Sequence, residues 1–163
     1  IVAPGMSEGK ISESPVSLID LFPTLAELCN VRTPANLQGQ SLVPMLKDPS
    51  YVGRGWALTQ VTRGGKRRNA GNNAEADGSY FGYSLRTPRW RYTEWDGGDA
   101  GIELYDHDND PRELTNQAEN DQHRVTRDQL SAALQAAVAS TLPPDGKIPA
   151  VISGTWAPLL VDP

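Results

Sequence analysis

The sequence is poor in cysteine, with Cys29 the only one in 163 residues. A single thiol excludes an internal disulfide framework and any cysteine-rich metal site. No apolar run approaches the roughly 20 residues that carry a helix across a bilayer. A basic surplus is also missing: the formal net charge is −5, the opposite of a nucleic-acid-binding surface. No glycine-rich loop with a following lysine is present to cradle phosphate. The two histidines, His107 and His123, are too far apart to form a helical pair. Neither they nor Cys29 sits in a Ser–His or Cys–His motif, so a self-contained catalytic triad is not expected. The chain opens on Ile1-Val2-Ala3-Pro4-Gly5 without an initiator methionine or a signal pattern. That opening reads as the end of a buried strand running into a turn, as expected of a piece of a longer protein whose targeting signal lies elsewhere.

What is present is an ordinary apolar content, 38%, with 13 prolines and 15 glycines. This predicts one domain of short elements and long connections. A helix is expected from Asp20, as N-cap, to Cys29, with Pro23 in its first turn. Leu21, Leu25 and Leu28 form its apolar face, and Asn30 ends it in a left-handed conformation. A short helix over 41–47 and a strand over 56–61 follow. Residues 63–79 read as a long polar loop holding Lys66, Arg67 and Arg68. Strands over 80–86 and 90–95 pair across the Thr87-Pro88-Arg89 turn, and a third covers 102–105. The last helix runs over 121–140 and stops at Leu142-Pro143-Pro144. These elements predict an α+β fold, a small antiparallel sheet with a packed C-terminal helix. Ile152, Trp156, Leu159 and Leu160 make the extended tail after residue 142 a segment that packs on something.

Asp106, Asp108 and Asp110 match the start of a calcium-binding EF-hand loop. The match fails at the sixth position, Pro111 for glycine, and at the twelfth, Gln117 for a bidentate glutamate. A turn with loop-bonding carboxylates is the better reading. His107 and His123 read as solvated surface, and Lys66 to Arg68 as a solvated loop tip that can steer an anion. Arg86, Arg89 and Arg91 cluster around the strand turn, where Arg86 and Arg91 can brace the sheet through Glu94 or Glu103. Gln60 and Arg63, at a strand exit, have the side chains to bind a carboxylate or a sulfate by directed hydrogen bonds.

Five blocks in fixed order carry a resemblance: SPVSLIDLFPTLAELCNV (14–31), LQGQSLVPMLKDP (37–49), TQVTR (59–63), GYSLRTPRWRYTEW (82–95) and ELYDHDNDPRELTNQA (103–118). Together they resemble the C-terminal third of type I sulfatases, most of all the iduronate-2-sulfatase-like branch. The resemblance implies the C-terminal subdomain of an alkaline-phosphatase-like α/β enzyme, residues 1–50 closing the large domain, 51–142 forming the subdomain and 143–163 a tail. It implies a sulfuric ester hydrolase whose formylglycine, made from a Cys or Ser in C/S-x-P-x-R, attacks a sulfate ester beside a calcium ion. Neither motif is in this chain; Cys29 sits in ELCNVRT. The fragment is therefore expected to bind no calcium, to carry no catalytic residue and to be inactive alone. Its implied partners are the N-terminal catalytic domain and a sulfated carbohydrate or aryl sulfate, with no nucleic acid and no membrane, in a periplasmic or secreted setting. Residues matching Gln60 and Arg63 lie near the substrate pocket in that branch. A stand-alone glycan- or anion-binding module and a purely structural subdomain are the alternatives.

Overall fold

A computed structural model describes residues 1–6, 9–64 and 79–142. The Lys66 to Arg68 run and the tail from residue 143 lie outside the described residues. No helix among them is long and apolar enough to cross a membrane.

The N-terminal part is organised by polar burial. A 3-10 turn, Leu18–Asp20, runs into helix α1, Leu21–Leu28, with Pro23 in its first turn and Asn30 closing it at φ 54°. Asp20 was expected to cap the helix with its side chain. It instead turns away and is fully buried. Its carboxylate accepts from Ser17 N (2.8 Å), Gln40 N (2.9 Å) and Arg54 Nη2 (2.5 Å). Thr24, one turn on and equally buried, donates to Asp20 O (2.5 Å) and accepts from Leu42 N (2.8 Å). Two side chains thus hold α1 against the loop entering helix α2, Val43–Lys47. Gly39 is required there because a Cβ would run into the Ile19 carbonyl.

The expected apolar face of α1 does not face this core. Pro23, Thr24 and Ala26 are the buried residues. Leu21, Phe22 and Leu25 are exposed, Phe22 by 56% and Leu25 by 55%, beside Leu18 at 84%. The buried Asp20–Thr24 pair fixes which side of the helix turns inward, and the leucine side is left in solvent.

Strands β1 (Ala57–Gly64), β2 (Ser79–Arg86), β3 (Trp90–Trp95) and β4 (Gly101–Asp106) form one sheet in sequence order, each pair antiparallel. Such order follows from short connections between neighbouring strands. Alternation gives the sheet two unlike faces. Leu85, Tyr92 and Leu104 point to helix α3, Arg124–Thr141, and pack with Leu130, Leu134 and Ala137 to form the core. The opposite face carries Arg63, Ser84, Arg86, Arg91, Thr93 and Trp95. There Trp95 lies flat on Gly82, where any Cβ would collide with its ring. The edge of β4 is closed by Asn116, which accepts from Leu104 N (2.9 Å) and donates to Ile102 O (3.0 Å). It stands in for a missing strand.

Replacing Asp20 by Asn leaves Arg54 with one neutral acceptor and turns an amide N–H toward the Ser17 backbone donor. The expected loss is roughly 3 kcal/mol, the lower end for a broken buried pair, since Arg54 keeps 21% of its side-chain surface exposed. Urea unfolding of Asp20→Asn against the parent measures it, and a loss below 1 kcal/mol would contradict the assignment.

Candidate functional site

β1 presents its side chains to two clefts, one on each face of the sheet. On the helix side, a cleft of about 420 Å³ is lined by Gln60, Trp56, Leu58, Tyr83, Gln38 and Arg54, and closed at one end by Leu142. On the other face, a cleft of about 310 Å³ is lined by Arg63, Trp95, Arg86, Arg91, Tyr105 and Glu113 among others. Gln60 and Arg63 therefore do not form a pair. Three residues is an odd step along a strand, and an odd step changes face. The structure separates the two, each in its own cleft.

Arg63 has a defined contact: its guanidinium stacks 3.9 Å from the centre of the Trp95 ring. Trp95 in turn donates from Nε1 to Glu103 Oε1 (3.1 Å) and meets Tyr80 edge-on at 6.4 Å. A guanidinium over an indole face gains of order 1 kcal/mol and keeps its donors available at the rim. Gln60 is exposed on its cleft wall beside two aromatic rings, and Arg54 stacks on one of them, 5.1 Å from the centre of Trp56.

The remaining arginines follow a different plan from the one expected. Arg86 and Arg91 face each other directly across β2 and β3, an unfavourable like-charge pair. Arg91 Nε meets Glu113 Oε1 at 2.8 Å. Arg86 donates to the carbonyls of Thr87, Pro88 (3.1 Å) and Trp90 (3.4 Å), clamping the β2–β3 turn, and Nη2 lies 3.0 Å from His107 Nδ1. Burial first, then the Arg91 charge, pull the Arg86 pKa down. A guanidinium only donates, so His107 accepts at Nδ1 and carries its proton on Nε2, where it donates to Glu113 Oε1 at 2.6 Å. His107 is thus a half-buried link rather than solvated surface; its side chain is 17% exposed. His123 also departs from expectation, its ring centre lying 5.2 Å from that of Trp90.

Glu94 and Glu103 do not serve the arginines. Glu94 sits an even step from Tyr92 and so faces α3, accepting from Tyr92 Oη (2.7 Å) and Ser131 Oγ (2.6 Å). Burial, and then the bond to Glu94, push the Tyr92 hydroxyl up to about 12. Sequence reasoning missed Glu113 as the carboxylate that collects Arg91 and His107. Nothing in the PRELTN stretch marks it, because the contact exists only once the β4 turn folds back on the sheet. Strand parity was the available signal against Glu94.

The Asp106 turn is held by Arg89. Nε and Nη2 reach Oδ1 at 2.8 Å and Oδ2 at 2.7 Å, Asn109 Nδ2 adds 2.8 Å and Asp108 N 3.2 Å. The Arg89 fork foremost keeps the Asp106 carboxyl far below the usual carboxylate range. Both of its oxygens are taken, which suits a turn and not a cation site. Among the described residues no group of three or more His, Cys, Asp or Glu converges. Cys29 is exposed and free.

No family model matches the chain. Over 127 residues, 72% of the chain, it is 33% identical to arylsulfatase K of Xenopus laevis, of which it covers 22%. The structure resembles a 2-O GAG sulfatase (25% identical, TM-score 0.57, covering 75% of this chain and 24% of that one). It also resembles the phosphonate monoester hydrolase of Agrobacterium radiobacter (26% identical, TM-score 0.55, covering 76% and 25%). The chain spans about a fifth of the length of the curated relatives it matches. Its α+β arrangement, four antiparallel strands under a C-terminal helix, is shared with alkaline-phosphatase-like sulfatases.

The depressed Asp106 pKa has a definite sign. Its stabilisation is complete above the ordinary carboxylate value, about pH 4, and is lost as pH falls through the lower value of the folded state. Asp106→Asn is expected to be less stable at neutral pH and to lose part of the acid-side slope. Urea midpoints followed from neutral to strongly acidic pH test this; parallel profiles for parent and variant would refute it.

Proposed function

We propose that this chain is the C-terminal part of a sulfatase of the iduronate-2-sulfatase-like branch. It completes the fold and contacts a sulfated carbohydrate, while the N-terminal remainder carries the reaction. The observation that carries the reading is the 33% identity to a fifth of arylsulfatase K. The resemblance to a 2-O GAG sulfatase favours sulfated carbohydrate over simple aryl sulfates, and the branch favours a periplasmic or secreted setting. The division into 1–50, 51–142 and a tail from 143 is part of the same reading.

The formylglycine nucleophile and the calcium ion belong to the remainder. Cys29 lacks a proline two residues on, and the Asp106 carboxylate is committed to Arg89. The residues of this chain do not fit either group, so no chemical step is assigned to them. What this chain offers is an apolar docking face, Leu18, Leu21, Phe22 and Leu25, exposed in solvent, and exposed apolar patches mark interaction surfaces. Gln60 and Arg63 offer hydrogen-bond donors on opposite faces of β1. They serve one extended saccharide only at separate points, or only one of them serves it.

A second reading, phosphonate monoester hydrolysis, rests on the 26% identity to that enzyme. The longer protein is expected to hydrolyse a sulfated disaccharide with loss of activity in EDTA, and this chain alone to hydrolyse nothing. A faster turnover of phosphonate monoesters would install the second reading, and activity of the isolated chain would overturn both.

Phe22→Asp with Leu25→Asp is expected to abolish binding of this chain to a separately expressed N-terminal remainder, while leaving the chain's own unfolding midpoint nearly unchanged. Unaltered binding by calorimetry would remove the docking face from the proposal. In the longer enzyme, Gln60→Ala and Arg63→Gln are each expected to raise KM for the sulfated disaccharide about 5- to 10-fold, the loss of one hydrogen bond of about 1 kcal/mol, with kcat kept. A residue whose replacement lowers stability and leaves KM unchanged is a brace and not a substrate contact.

A further inference from the structure

α3 does not cover the whole inner face of the sheet. Gln60 stands directly opposite Tyr83 across β1 and β2, and Leu58 opposite Leu85. Direct partners share a face, and Leu58 and Gln60 share it too, being an even step apart. Leu85 is sealed under α3, whereas Trp56, Leu58 and Tyr83 are only partly covered. With Gln60 these three line the cleft of about 420 Å³, a size at which proteins hold small ligands.

The walls combine aromatic surface with neutral hydrogen-bonding groups. Trp56 and Tyr83 supply the rings. The Gln60 amide, exposed on the wall, offers a donor and an acceptor together. Gln38 gives one Nε2 hydrogen to the Thr141 carbonyl (2.5 Å) and keeps its Oε1 as an acceptor. Free charge is missing: among the described residues of the lining Arg54 is the one charged group. Its guanidinium is committed to the buried Asp20 carboxylate, to the Gln38 carbonyl (3.0 Å) and to the Trp56 ring. A sulfate or carboxylate placed here would lose hydration without gaining a free cation. A pyranose ring without charge fits the same walls: its C–H face packs on aromatic carbon, and its hydroxyls need donors and acceptors side by side.

We propose that this cleft is a subsite for an uncharged pyranose ring, packed against Trp56 and Tyr83, with Gln60 and Gln38 bonding its hydroxyls. In the longer protein it holds an unsulfated neighbour of the reacting unit. That role rests on the proposed saccharide substrate, whereas the binding rests only on the cleft. The arginines of the opposite face, Arg63, Arg86 and Arg91, have no counterpart here, so the two sides of β1 differ in the charge they accept.

Titration of the full chain with methyl N-acetyl-β-D-glucosaminide, followed by NMR at the Trp56 indole N–H and the side-chain amides of Gln38 and Gln60, tests it. Saturable shifts are expected at these groups, and the O-sulfated form of the same glycoside is expected to bind no more tightly. Tyr83→Ala is expected to weaken binding about fivefold by removing an aromatic contact. Gln60→Ala, at an exposed position, keeps the test open if the Tyr83 variant does not fold, and is expected to weaken binding about fivefold. No saturable shift, shifts centred on Arg63 and Trp95, tighter binding of the sulfated glycoside, or parent-like binding by Gln60→Ala overturns the proposal. A longer protein that hydrolyses no sulfate ester, beside a chain that still binds the ring, keeps the subsite and removes the sulfatase reading.

Discussion

The carboxylate of Asp20 is the constraint on which the N-terminal half depends. A buried carboxylate is tolerated only when its oxygens are bonded, and here three donors come from segments far apart in sequence. Ser17 sets the entry to α1, Gln40 the loop after it, and Arg54 the approach to β1. Arg54 also stacks on Trp56, so the same charge pair links the helical segment to the sheet. Thr24 repeats the device one turn later. The cost of turning these two polar side chains inward is that the leucines on the other side of α1 turn outward.

That outcome connects local packing to function. An uncovered apolar face on α1, in a chain that spans about a fifth of its relatives' length, is the feature on which the proposed docking to the rest of a longer protein rests. The sheet core under α3 is closed by comparison, with Leu104 and Leu85 almost wholly buried. The sheet and its helix supply their own core; the region before them keeps an unsatisfied face.

The outer sheet face shows how a like-charge pair is accommodated next to a candidate binding surface. Arg86 spends its donors on turn carbonyls and a neutral imidazole, and Arg91 is matched by Glu113. The strand positions fix the arginines opposite each other, and the folded-back turn after β4 supplies the compensation. Arg63 rests its planar cation on the Trp95 indole.

From Asp20 onward most secondary structure was legible because it follows from local signals, whereas Ile1 to Ala3, read as the end of a buried strand, form none and leave Val2 exposed, and β1 runs on to Gly64 where a loop was expected from residue 63. Period-two runs, the Thr87-Pro88-Arg89 turn, Pro23 in a first turn and Asn30 after a helix act within a few residues, and short connections leave antiparallel neighbours as the economical topology. The resemblance carried by five ordered blocks was also a property of the sequence alone. Side-chain partnership was not. Which carboxylate meets Arg91, what His107 bonds and which side of α1 is buried depend on segments brought together only by folding. Strand parity could have been read and was decisive: it puts Gln60 and Arg63 on opposite faces. The sequence by itself determined the elements, their order and the family likeness, because these rest on backbone preferences and patterning. Only the tertiary structure decided the ion-pair network and the exposed helix face, because both are set by where buried charge finds its donors.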